Sequence, residues 1–228
     1  MDDVIEADGA VSNFSDSERD LFYRILASRR DIRKFRPDPV PDEVLGRILQ
    51  AAHAAGSVGF MQPWNFILVR DPVRRQAVKD SFLEVTEAAA QTYSGDRQTL
   101  YRSLKLEGLT ESPLNLCVTC DTRRGGPHVL GRHSIPETDV YSTCLAVQNL
   151  WLAARVEGVG VGWVSIVINT RLREFFGLPE AVIPVAYLCV GYPQAFPTVP
   201  ELQTAGWRDR LPLRDLVLHE CWPEESVQ

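Results

Sequence analysis

The stretch from Asp139 to Glu157 does most to limit how this chain can fold. Val140, Cys144, Val147, Trp151 and Ala154 fill one helical face while Leu145, Leu150 and Leu152 fill others. A helix apolar nearly all round is expected to run through the centre of the molecule. At 228 residues, 45% hydrophobic and 24% charged, the chain has the make-up of one globular domain able to bury it. Gly158-Val159-Gly160-Val161-Gly162-Trp163-Val164-Ser165-Ile166 then ends the helix and enters a strand. The order is helix, glycines, strand, and no G-x-G-x-x-G opens a following helix, which excludes a Rossmann reading. Two explanations of the glycines remain. They let backbone approach a flat ring, with Ser165 offering a hydroxyl there, or they form a helix C-cap leading into a core strand.

A second constraint lies in Ser28-Arg29-Arg30-Asp31-Ile32-Arg33-Lys34-Phe35-Arg36. Five cations and one carboxylate fall within eight positions, directly before Pro37-Asp38-Pro39. Arginine holds phosphate through two parallel hydrogen bonds, so the stretch outlines an anion site. A solvated helix end, where cations meet the negative end of the dipole, explains the same composition. Asp31 is poorly placed to bind an anion and asks for another role.

Residues 1–13 are polar and aperiodic, as in a loose arm. Ser15-Asp16-Ser17-Glu18 has capping-box form, and Leu21, Phe22, Ile25 and Leu26 mark one face of the helix that delivers Arg29. A second helix follows Pro39-Val40-Pro41 and stops at Gly56. The loop Ser57-Val58-Gly59-Phe60-Met61-Gln62-Pro63-Trp64, set before a strand at Asn65–Val69, is a place where a site is built. Asp71-Pro72 opens a third helix. From Thr92 to Ser112 the chain is polar, either a mobile cover or an exposed helical hairpin. Strands are expected near Leu114–Thr119 and over Val182–Val190. Thr122-Arg123-Arg124-Gly125-Gly126-Pro127 is a plain loop signal, and His128 and His133 read as loop histidines. Beyond Pro193 a proline-rich, core-poor tail carries a second basic knot, Gly206-Trp207-Arg208-Asp209-Arg210, able to complete the anion site begun at Arg29.

A formal net charge of -6 argues against nucleic acid as a partner, since phosphate-backbone binding needs a broad basic surface. The N-terminus shows neither signal nor transit pattern and no apolar run approaches a membrane span, so a cytoplasmic protein with no membrane partner is expected. Five cysteines, an odd number in apolar runs, argue against a disulfide framework. Cys117-Val118-Thr119-Cys120 lies in a strand rather than at a helix N-terminus and has no second pair beside it, so neither redox nor metal chemistry is expected.

The segments SRRDIRKF, SVGFMQPWNF, SGDRQ with the following YRSLKLEG, CVTCDTRRGG, YSTCLAVQNLWLAARVEGVGVGWVSI and GWRDRLPL together resemble the BluB-type 5,6-dimethylbenzimidazole synthases, flavin destructases of the nitroreductase-like superfamily. The resemblance covers residues 15 to 222. It implies a single α+β domain over 1–228 with a central mixed, mainly antiparallel sheet flanked by helices. It implies an interlocked homodimer in which residues 193–228 cross the partner, with FMN at the interface. Carried over motif by motif, Arg29, Arg30, Ile32, Arg33, Gly206 and Arg208 belong to the FMN phosphate and ribityl end. Ser57, Met61, Gln62, Gly160 and Gly162 belong to the ring, and Arg97 to the cover. The resemblance further implies that reduced FMN, supplied by a separate flavin reductase, is substrate and is fragmented with O2 to 5,6-dimethylbenzimidazole, the lower ligand of cobalamin, and D-erythrose 4-phosphate. Breaking the ribityl chain needs a base near a hydroxyl, for which Asp31 is the candidate; Ser165 offers a hydrogen bond at the ring. The alternative is an NAD(P)H-dependent nitroreductase or flavin reductase that keeps its FMN.

Overall fold

The computed structural model describes residues 13–222. Of the arm expected over residues 1–13, all but Asn13 lies outside the described residues. One sheet runs in the order β1 (Trp64–Val69), β2 (Leu114–Asp121), β4 (Val182–Gly191), β3 (Gly160–Trp163), and every neighbouring pair is antiparallel. The parallel contribution is an isolated bridge between Asp31 and Val161.

Successive residues of β2 face opposite sides of the sheet, and both sides are covered, which is why the strand is apolar throughout. Leu116 and Val118 meet Leu45, Ile48 and Ala52 of α2 (Asp42–His53) and Val147, Leu150 and Ala154 of α5 (Thr138–Val156). Cys117 faces the other way, toward Val78 and Phe82 of α3 (Pro72–Ala90) and Leu172 of α6 (Asn169–Phe176). Burial pushes the Cys117 thiol up to about 12, the state of an inert structural cysteine. Among the described residues no helix is long and apolar enough to cross a membrane.

Two helices depart from expectation. Helix α5 buries one face, but Tyr141, Leu145 and Val156 are 55%, 53% and 63% exposed. With Gln148 and Leu152 they recur every three or four residues, so they form one stripe. Helix α1 (Asp16–Ser28) has its capping box at Ser15 and Glu18 yet buries none of its residues, leaving Leu21, Phe22 and Leu26 exposed.

The polar stretch before β2 is only partly a cover. Helix α4 (Gly95–Ser103) lies on the surface, whereas the segment after it is docked, with Leu109 and Ser112 fully buried. The tail, including α7 (Glu201–Thr204), follows its own chain as far as Trp207. Pro193 bridges to Phe35, the Gln194 N–H donates to the Lys34 carbonyl, and the Trp207 ring packs against Tyr93 and Tyr101. Residues 208–222 are exposed throughout.

Candidate active site

Helix α1 ends at Arg29, whose backbone turns extended (φ -65°, ψ 135°), and the chain then runs beside β3. The Ile32 N–H donates to the Val161 carbonyl at 3.0 Å. That approach explains two glycines. A Cβ on Gly162 would overlap the Ile32 carbonyl oxygen, and one on Gly160 would lie 2.9 Å from Ile32 Cγ1. The Cβ side of both glycines is therefore closed by the chain's own arginine segment rather than opened toward a flat ring. Ile32 is 3% exposed in the core with Phe35, Val164 and Tyr187, so its side chain is not free to touch a ligand.

Asp31 sits in the seam so formed. Its Oδ1 accepts the Trp163 N–H at 2.8 Å, and its Oδ2 accepts Arg33 Nε at 2.9 Å and Nη2 at 2.6 Å. Arg33 spends its remaining Nη1 on the Lys105 carbonyl at 2.9 Å. It thus clamps Asp31 and keeps two further N–H donors for the phosphate contact expected from the sequence. Ser165, two residues beyond β3, is exposed at the mouth of a 240 Å³ pocket shared with Trp163, Asn169 and Tyr187.

The cations behind Asp31 are differently engaged. Arg30 caps α1 by donating Nη1 to the Ala27 and Arg29 carbonyls at 2.7 and 2.6 Å, and Nη2 to the Thr198 carbonyl. Its Nε is buried without a hydrogen-bond partner. Arg29 lies 4.7 Å above the Trp151 ring. Burial pulls its guanidinium below the usual arginine range; Asp31 opposes that, while Arg30 and Arg210 add to it. Arg29, Arg30 and Arg210 line a 480 Å³ pocket with Tyr23, Leu26 and Pro200. Crowded cations and an orphaned buried N–H are both relieved by an anion, so these residues fit a phosphate. Of the tail's basic knot, Arg210 lines the pocket with Arg29, and both Arg208 and Arg210 are exposed. Arg97 sits 3.5 Å above the Trp207 ring and donates to the Trp207 carbonyl at 3.0 Å, which places it beside Gly206 and Arg208.

The third group of expected residues lies toward the other end of α5. Arg29 and Arg30 adjoin Trp151 near its C-terminus, whereas the Val58 N–H donates to Ser142 Oγ at 3.1 Å near its start. Those anchors are separated by roughly 13 Å of helix. Gln62 donates its N–H to Ser57 Oγ at 3.1 Å. Gly59, Phe60 and Gln62 have φ of +58°, +52° and +47°, a conformation that costs free energy at the two non-glycine positions. Met61 is 4% exposed with its sulfur toward Arg132, Ser57 and Gln62 are half-buried, and Phe60 is exposed.

Residues 26–192 match the model of the "Nitroreductase family". The chain belongs to the nitroreductase family. It is 43% identical over 199 residues to the 5,6-dimethylbenzimidazole synthase of Rhodospirillum rubrum, spanning 87% of this chain and 94% of that protein. To the enzyme of that name from Rhodobacter capsulatus it is 38% identical over 200 residues, 88% and 97% of the two chains. The crystal structure of oxidised iodotyrosine deiodinase bound to FMN and 3-iodo-L-tyrosine superposes with a TM-score of 0.68 at 21% identity, over 88% of this chain and 99% of that one, which shows a shared fold. The family match contains the Asp31 seam and the Ser57–Gln62 loop; Arg208 and Arg210 lie beyond it.

Proposed function

We propose that the protein fragments reduced FMN, with O2 as oxidant, to 5,6-dimethylbenzimidazole and D-erythrose 4-phosphate. The carrying observation is Asp31, a carboxylate fixed from two sides and next in the chain to Arg29 and Arg30, which line a pocket of cations with Arg210. Extended similarity to two 5,6-dimethylbenzimidazole synthases supports the same reading.

Bound reduced FMN supplies the electrons for O2 and a ribityl chain with a breakable carbon–carbon bond. Arg29, Arg30 and Arg210 hold the phosphate, Arg30 through its free Nε, and Arg208 with the Gly206 backbone and Arg97 closes the site from the tail. Asp31 takes a proton from a ribityl hydroxyl. Its oxygens keep lone pairs beyond those used by Trp163 and Arg33, and the Arg33 clamp sets their direction. Ser57 and Gln62 line the ring with Met61 beneath them, and the Ser165 hydroxyl donates at the ring. Gly160 and Gly162 serve by letting the Asp31 seam close.

The active unit is a homodimer. Two α5 stripes packed about a two-fold axis perpendicular to the helices run antiparallel, and that arrangement brings the Ser57–Gln62 loop of one copy toward the arginines of the other. The exposed residues that follow Arg210, among them Leu211, Leu213, Leu216 and Trp222, then lie across the partner.

The test mixes purified protein, FMN and NADH, with and without an unrelated flavin reductase. Negligible NADH oxidation alone, then O2 uptake and a benzimidazole on chromatography once the reductase is added, is the expected result. Rapid NADH oxidation by the protein alone with a nitroaromatic acceptor would establish the alternative, a nitroreductase that keeps its flavin.

A further inference from the structure

The loop between β2 and α5 has no evident role in the sequence, yet it carries a buried ion pair. Arg132 Nε donates to Asp139 Oδ1 at 2.9 Å, with the two side chains 17% and 4% exposed. Arg132 Nη1 donates to the Gly126 carbonyl at 2.8 Å, and Nη2 donates to the Arg124 carbonyl at 2.7 Å and toward Met61 Sδ at 3.4 Å. Arg124 in turn donates to the Gln62 carbonyl at 3.3 Å and to Asn65 Oδ1 at 2.5 Å. The crossing is tight: a Cβ on Gly125 would lie 2.8 Å from Val129 Cγ2 and 3.5 Å from Met61 Cβ. One guanidinium, anchored to the first turn of α5, therefore reaches Met61 directly and Gln62 through Arg124.

Stability alone is a weak reason for such a pair, because apolar residues of similar volume commonly serve as well. A planar fork differs from other cations in fixing directions, and four acceptors surround this one. The loop also needs holding, since Phe60 and Gln62 occupy the left-handed region. We infer that Arg132, oriented by Asp139, is a positioning residue that fixes the Ser57–Gln62 loop against the flavin ring. The inference rests on the reading of that loop as ring-lining.

The experiment uses the full-length protein as Arg132→Lys, which keeps the charge and loses the fork, and as the double variant Arg132→Met/Asp139→Leu, which keeps volume without charge. Three readouts are taken: FMN affinity by fluorescence quenching, hydrogen exchange at the amides of residues 58–62, and benzimidazole formed per reduced FMN consumed. Faster loop exchange, affinity lower by about ten-fold and a product ratio lower by up to about 100-fold are expected, the scale of a small misplacement of groups around a reacting centre. A purely structural pair would lower the melting temperature while leaving loop exchange and product ratio unmoved. Parental affinity and loop exchange in either folded variant overturn the inference. So does failure of both variants to fold, which would make the pair a folding determinant. If the parent binds FMN and forms no benzimidazole, the proposed reaction fails, and affinity and exchange still decide this question.

Discussion

Arg33 grips Asp31 from one side, Nε and Nη2 both reaching Oδ2 at 2.9 and 2.6 Å, while the Trp163 N–H holds Oδ1 at 2.8 Å. The carboxylate has little freedom to turn, as a base acting on one particular hydroxyl requires. Asp31→Asn keeps an acceptor for Trp163 but loses the base. FMN affinity is expected to stay within a few-fold, and benzimidazole formation to fall by about 10²–10⁴. Product chromatography beside a flavin titration checks both; an Asn variant turning over at the parental rate would remove Asp31 from the chemistry.

The pocket of Arg29, Arg30 and Arg210 offers three cations to a phosphate. Arg29→Ala and Arg210→Ala should each weaken FMN binding by about 1.5–3 kcal/mol, the contribution of a charge-assisted hydrogen bond. Riboflavin, which lacks the phosphate, should bind both variants as it binds the parent. Equal losses for the two flavins would place the phosphate elsewhere.

Leu145 stands in the middle of the exposed α5 stripe at 53% exposure. A charge there is tolerated in a monomer and opposed in an α5–α5 interface. Leu145→Asp is expected to sediment as a monomer with unchanged helix content and to lose FMN binding. Monomeric parent protein, or a dimeric Leu145→Asp that binds FMN, would show that α5 is not the dimer face.

Gly162 and Gly160 separate two explanations of the same motif. If they exist to admit the arginine segment, Gly162→Ala should be the harsher change, since its Cβ would overlap the Ile32 carbonyl oxygen, while the Gly160 Cβ meets the Ile32 side chain at the longer distance of 2.9 Å. The expected loss for Gly162→Ala is about 3 kcal/mol or more, against about 1 kcal/mol for Gly160→Ala, read by denaturant unfolding without flavin. Equal, small effects on stability with a large loss of FMN affinity would instead indicate ring contact.

Local rules carried the sequence a long way. The capping box at Ser15, the Asp71-Pro72 start of α3 and the buried run of β4 depend on neighbours within a few positions, so they are legible from the residues alone. The arginine motif with its lone Asp, and the polar loop at Ser57, stand out in the sequence for the same reason. What Asp31, Arg33 and Ile32 each do was not legible, because their partners Trp163, Lys105 and Val161 lie 72 or more positions away in the chain. The Arg132–Asp139 pair gave no signal at all, since a single arginine in a glycine-rich loop is ordinary until folding lays that loop over Met61. Composition likewise showed that α5 is apolar nearly all round, but burial is a property of packed surfaces. Only the tertiary structure showed which stripe, Tyr141 to Val156, the chain's own sheet leaves uncovered.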